Sequence, residues 1–393
     1  MNNEIIYKII RNILFFTIPA IILLIFISSV HLNGLSRAMY VDMVYGKAFK
    51  PFVTRTLTTS MIRIMSSATP IKVKSALTEF VNNDNFISVF LSDNVLTKRI
   101  IENKIKHFYP GQSAKFSYKQ NLFVIILKYL KWEPEFIVEY LFGLLLMYFA
   151  LVGYAFSQKY LISLIYTSNK IFIDSVVIIS LLLLPVLNKY SLFVYDFSTL
   201  FLFTLCLVLM IKQRWKEYLI IFSLATLNKE TTVLLIGVYY VYFLYQLKQH
   251  DRIYKRVLIA QVMIFIGLRL LLYVVYLNNP GSSIEFHLID HNLILFTNLL
   301  NPADVTLVVF SLVVFLFLLF YKWFEKPRFI KGSLQVPLFL FILTLFFGFI
   351  DEWRDYYESI PIIILFFVHS IGKIFDFRVN VKDWTLQKDS ETN

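Results

Sequence analysis

Several ionisable side chains stand in or beside long apolar runs of this sequence, where a charge is costly and therefore carries a functional hypothesis. Asp42 lies in Tyr40-Val41-Asp42-Met43-Val44-Tyr45, and Asp196 follows Tyr195 at the start of an apolar stretch. Asn228-Lys229-Glu230-Thr231 interrupts a second stretch, Arg269 lies inside a third, and Asp351-Glu352-Trp353-Arg354-Asp355 follows a fourth. Cations of this kind can hold phosphate, apolar walls can accept a lipid chain, and a carboxylate can take the proton of an acceptor hydroxyl. Together they suit a lipid-linked anionic substrate. Each also has a plainer reading. Glu352, Asp355 or Asp304 could be a solvated cap, and Asp196 a carboxylate that favours its helix dipole. Residues 228–231 could be only a hairpin turn, and Arg269 could snorkel to the interface. Transporters also bury charges along their substrate paths.

Other chemical signatures are scarce. There is no Gly-rich phosphate loop, no His-Glu-x-x-His and no serine-nucleophile motif. The spacing of His287 and Asp290-His291 could ligate a metal, but loop histidines are more often plain polar residues, and no metal site is expected. His107 reads as a surface residue and His369 as a packed polar one. The lone cysteine, Cys206, rules out an intrachain disulfide and a cysteine-rich zinc site.

The elements that must position these groups are helices in a membrane. Of 393 residues 58% are hydrophobic and only 16% charged, against about 25% charged in an average soluble protein. Runs such as Leu181 to Leu184 and Val313 to Leu318 do not alternate, which excludes an outer-membrane barrel. The pattern predicts an all-α polytopic membrane protein with helices near 13–30, 135–156, 171–187, 192–211, 257–277, 304–321, 335–350 and 359–376. The 30-residue stretch 218–247 would reach about 45 Å as one helix, too long for a hydrocarbon core of about 30 Å. It therefore reads as two short helices joined at Asn228 to Thr231, giving about ten spans. Lys8 and Arg11 place the N-terminus in the cytoplasm. The segments then counted as cytoplasmic carry 19 Lys and Arg, whereas the short outer connections carry only Lys189, Lys229 and Arg354. The net charge of +12 reports this orientation rather than nucleic-acid binding.

Four regions follow: a cytoplasmic N-terminus with the first span (1–30), a long outer loop (31–133), a helical core (134–376) and a solvated cytoplasmic tail (377–393). The first span is longer than a signal-peptide core. In the outer loop, Phe52 to Met65 and Phe116 to Leu130 mix aliphatics with Arg55, Arg63, Lys119 and Lys128. They could lie along the interface or pack as a small cap.

Four patches, in order along the chain, carry a resemblance. They are Tyr45-Gly46-Lys47-Ala48-Phe49-Lys50-Pro51-Phe52-Val53-Thr54-Arg55-Thr56-Leu57, Tyr195-Asp196-Phe197-Ser198-Thr199-Leu200, Leu224-Ala225-Thr226-Leu227-Asn228-Lys229-Glu230-Thr231, and Glu352-Trp353-Arg354 before a proline-containing last span. The chain resembles bacterial multi-pass proteins of the type C glycosyltransferase superfamily. That resemblance implies an inverting transfer of a sugar from a polyprenyl-phosphate donor to a lipid, glycan or protein acceptor at the outer face of a bacterial inner membrane. It implies Asp42 as general base and makes Lys229, Arg269 and Arg354 candidates for the donor phosphate. Arg55, Tyr195, Asp196, Asn228, Glu230 and Glu352 complete the expected substrate site. Membrane lipids are the expected surroundings, with no nucleic-acid partner and no cofactor beyond the donor itself. Many members show a pair of acids in the first outer loop, whereas this chain has only Asp42 before Asp84. A transporter or flippase of a lipid-linked saccharide, or a non-catalytic assembly protein, is the alternative.

Overall fold

The computed structural model describes residues 3–29, 35–82, 133–187, 192–298 and 302–381. Its helices are α1 (Asn3–Ser29), α2 (Tyr40–Val44), α3 (Leu57–Ala68), α4 (Ile71–Asn82), α5 (Ile137–Ile165), α6 (Lys170–Leu187), α7 (Asp196–Ile211) and α8 (Trp215–Asn228). Then follow α9 (Leu234–Tyr239, continued by a π-helix through Gln246), α10 (Arg252–Val275), α11 (Leu293–Asn298), α12 (Pro302–Phe320), α13 (Arg328–Ser333), α14 (Gln335–Phe347) and α15 (Ile360–Ile374). Among the described residues the only sheet is the antiparallel pairing of β1 (Tyr166–Thr167) with β2 (Asn380–Val381). The all-helical class is as expected, but the described residues contain five rather than ten helical stretches long and apolar enough to cross a membrane. These are Glu4–Ile27, Pro134–Ile165, Arg252–Val275, Arg328–Phe347 and Trp353–Ile374; Asp196–Ile211 and Val308–Phe320 are shorter apolar helices.

Helix α10 shows why such a segment is a membrane element. Ile259, Met263, Ile266, Leu270 and Val274 recur every three or four residues and are exposed, while Tyr254, Val257, Gln261 and Leu272 are buried. An apolar stripe this long belongs against lipid tails rather than water.

The stretch 218–247 does reverse. Helix α8 stops at Asn228, Lys229 adopts an extended backbone (φ −157°, ψ 143°), and a short 3-10 turn at Glu230–Val233 leads into α9. One uninterrupted helix would separate Trp215 from Phe243 by about 42 Å; their ring centroids are 5.3 Å apart. Trp215 also meets Tyr239 and Tyr254 edge to face, and the Tyr239 hydroxyl donates to the Tyr254 carbonyl. Each such ring pair contributes about 0.5–1.5 kcal/mol beyond area burial. The aromatic cluster thus closes the open end of the hairpin and leaves Asn228 to Glu230 at its tip.

Two compact units are distinguished, Met1–Met61 with Gly143–Asn393, and Ile62–Phe142. The expected outer loop 31–133 is therefore not one piece. Its first part belongs to the helical unit because Ala38, Met43, Ala48 and Val53 bury themselves in a cluster with Phe193 and Tyr195. Arg55, expected along a membrane interface, turns inward to an acid instead. In the second unit Ser66 donates to the buried Glu139 at 2.5 Å, and Lys74 donates to Ser66. Phe116 to Leu130, Asp84, His107 and Lys189 lie outside the described residues. The start of the tail departs from expectation in part: Val379 is buried and β2 pairs with β1, although Asn380 and Val381 remain exposed.

Candidate functional site

Arg55, Asp196, Lys229, Glu230, Arg269, Glu352 and Arg354 converge at one end of the helical unit, where the hairpin tip meets the starts of α7 and α15 and residues 54–58. Asn228 holds the junction together. Its side-chain amide donates to the Tyr195 carbonyl (3.0 Å) and to the Thr199 hydroxyl (2.9 Å), and its oxygen accepts from Thr58 (2.8 Å). Leu227 accepts from the Thr56 amide. Asn228 is fully buried with both donor hydrogens used, so it offers nothing to a ligand. Asp196 is similarly committed: its carboxylate accepts the Phe193 amide at 2.8 Å at the N-terminus of α7, as the dipole argument anticipated.

Lys229, Arg269 and Arg354, expected to gather round one phosphate, each touch a different carboxylate. Lys229 reaches Glu358 at 3.2 Å, and the two side chains are 5% and 0% exposed. The Thr231 hydroxyl also donates to Glu358. Arg354 pairs with Glu352, both nearly buried, and its guanidinium lies 4.0 Å from the centroid of the Phe193 ring. Burial raises Glu352 above the usual carboxylate range despite the pull of Arg354.

The more open part is different. Arg55 donates to both oxygens of Glu230 and to the Tyr195 hydroxyl. Burial works against its charge, but Glu230 more than compensates, so the guanidinium is held well above its ordinary value. Arg269 approaches the same carboxylate at 3.5 Å and donates to the Thr54 hydroxyl at 3.1 Å. Two guanidinium groups thus share one acid, and that acid is the most accessible member of the group: Glu230 is 34% exposed, Arg269 20% and Arg55 11%.

Asp42 and Asp355, both half-buried, make no side-chain hydrogen bond or ion pair with another described residue. Asp42 precedes Met43, which packs with Phe193 and Tyr195. These rings stack on each other and lie under Arg354 and Arg55, respectively. The base candidate therefore belongs to the same packed unit as the cations.

Sequence reasoning missed Glu358, Thr54 and Phe193. Glu358 carried a usable signal, an acid three residues before Pro361 and the last apolar run. Thr54 and Phe193 carried none, since they act through main-chain proximity and ring stacking. Of the four histidines singled out in the sequence, the three described ones form no metal centre. His287 meets Glu285 and Asp290, and His291 meets Asp351 at 3.0 Å, but no described group of three ligands could hold an ion. His369 is fully buried beside Lys326. No family model, curated protein or solved structure matches the chain.

Proposed function

We propose that the protein is a membrane glycosyltransferase that moves a sugar from a polyprenyl-phosphate donor to a lipid, glycan or protein acceptor. The observation that carries this reading is the partly exposed Arg55-Glu230-Arg269 arrangement, joined through Tyr195 to the packed cluster that holds Met43, the neighbour of Asp42. A phosphate entering this group would displace the Glu230 carboxylate and take both guanidinium groups, each a geometry suited to bidentate binding of an oxyanion. Asp42 then accepts the proton of the acceptor hydroxyl as that oxygen attacks the anomeric carbon. The bond from that carbon to the phosphate oxygen breaks, the configuration inverts, and polyprenyl phosphate leaves with the electron pair.

In this reading Lys229 and Arg354, neutralised by buried acids, hold the site rather than the donor. Tyr195, Asp196, Asn228 and Glu352 do the same. The charge distribution further supports ten crossings with both termini in the cytoplasm and the site facing outward, and the resemblance suggests a bacterial inner membrane.

Binding of polyprenyl phosphate, compared with the uncharged polyprenol, tests the site. A charge-assisted contact contributes about 1.5–3 kcal/mol, so Arg269→Gln should weaken the phosphate about 10- to 150-fold and leave the alcohol unchanged. Equal weakening of both ligands would show that Arg269 shapes the fold and does not bind phosphate. Phosphate-selective binding without sugar release from any donor would instead favour a lipid-saccharide transporter.

A further inference from the structure

The turn that carries Asp42 closes on its own main chain. The Asp42 carbonyl accepts the Lys47 and Ala48 amides at 2.7 and 3.1 Å, and Gly46 supplies the positive φ, +73°, that the reversal needs. Such a short turn keeps its carboxylate in one place only if something else grips it. That grip comes from the six residues directly after α10.

Asn279 donates through its side-chain amide to the Gly46 carbonyl (2.9 Å) and the Ala48 carbonyl (3.0 Å). The Lys50 amide donates to the Pro280 carbonyl at 2.9 Å, and the Lys50 ammonium to the Leu277 carbonyl at 3.1 Å. The Tyr276 ring packs against Gly46. Gly281, at φ +88°, comes so close that a Cβ there would stand 2.8 Å from the Lys50 carbonyl oxygen. These contacts come from the stretch Tyr276 to Gly281, beside the packing of Met43 and Ala48 on Phe193 and Tyr195 and the bond from the Phe49 amide to the Arg37 carbonyl, and the helix feeding that stretch carries Arg269 two turns earlier.

We propose that Asn279 is a positioning residue that fixes the Asp42 carboxylate relative to Arg269, so that α10 sets base and phosphate site together. This rests on Asp42 being the base. The chemistry requires a side chain with two donor hydrogens, since two carbonyls face it; only the amide orientation seen here meets both. Alanine removes both bonds, serine can keep one, and the isosteric aspartate turns acceptors towards carbonyls. Misplacing a reacting group by about 1 Å costs about 100-fold.

The test is a double-mutant cycle on the full chain in lipid nanodiscs, with turnover of a polyprenyl-phosphate-linked hexose labelled in the sugar and affinity for polyprenyl phosphate measured side by side. Asn279→Ala should lower turnover about 10- to 100-fold, Asn279→Ser less and Asn279→Asp at least as much, all with phosphate affinity unchanged. Added to Asp42→Asn, the alanine change should cost nothing further, because the group it positions is gone. A loss that multiplies that of Asp42→Asn, or that follows phosphate affinity, overturns the positioning role while leaving Asp42 as base. Aggregation of both the alanine and serine variants also overturns it, in favour of a folding role. If Asp42→Asn alone leaves turnover unchanged, the base assignment fails and the positioning role goes with it.

Discussion

Replacing Lys229 with methionine separates scaffold from ligand contact more sharply than any other change at this site. Its ammonium lies 3.2 Å from Glu358, with side chains 5% and 0% exposed, and the second Glu358 oxygen is buried with no partner. Without the lysine, only the Thr231 hydroxyl would remain beside a fully buried carboxylate. Breaking a buried pair by removing one partner costs about 3–5 kcal/mol, whereas replacing both partners by apolar groups is often neutral. Arg269→Gln opens a pair whose partners are 20% and 34% exposed and removes a hydrogen bond to Thr54, with an expected cost of about 1–2 kcal/mol. At roughly 1.2 °C per kcal/mol for a chain of 393 residues, Lys229→Met should lower the melting temperature in detergent by about 4–6 °C, and Lys229→Met with Glu358→Met should recover most of it. Arg269→Gln should leave melting nearly unchanged and weaken polyprenyl phosphate selectively. A Lys229→Met variant that melts like the wild type but no longer binds the phosphate would contradict the scaffold role, because the lysine would then be a donor contact.

Three further outcomes follow from particular residues. Since Glu352 is raised above its ordinary value near 4.5, the folded protein keeps a proton there that the unfolded chain has released. Its contribution to stability should therefore fall as pH rises from about 4.5 through the raised value, and the melting temperature of wild type minus Glu352→Gln should drift downward over that window; a flat difference would contradict the shift. In a background where buried Cys206 is the only native thiol, a cysteine replacing Trp353 should react with an impermeant reagent from outside. Cysteines replacing Arg252 or Phe324 should react only after permeabilisation, and outside labelling at 252 would defeat the ten-crossing topology. Gly281→Ala should destabilise the turn at Lys50, seen as faster proteolysis there, because its Cβ would meet the Lys50 carbonyl oxygen at 2.8 Å.

Much of the helix map was legible in the sequence because hydrophobicity alone decides it. The polar turn Asn228 to Glu230 stood out against the apolar residues around it, and the length argument forced the reversal that Trp215 and Phe243 display. Helix ends were less legible. Helix α5 runs on to Ile165 and carries Lys159 to a partner, Asp174, since an ion pair can extend a helix past the end of its apolar run. The site was legible as a set of charges but not as pairs. Nothing near Lys229 in sequence announces Glu358, and nothing near Arg269 announces Thr54, because these partners are brought together only when distant helices pack. For the same reason the sequence could not show that Lys229 and Arg354 are neutralised while Arg55 and Arg269 share an accessible acid.

The most direct measurement follows labelled sugar from a series of polyprenyl-phosphate hexoses into membrane acceptors, comparing wild type with Asp42→Asn in nanodiscs. Because general-base catalysis contributes about 100- to 10,000-fold, transfer should fall by that order while polyprenyl phosphate still binds with wild-type affinity. Transfer by Asp42→Asn at the wild-type rate would contradict Asp42 as the base, and no transfer by the wild type from any donor of the series would contradict the glycosyltransferase itself.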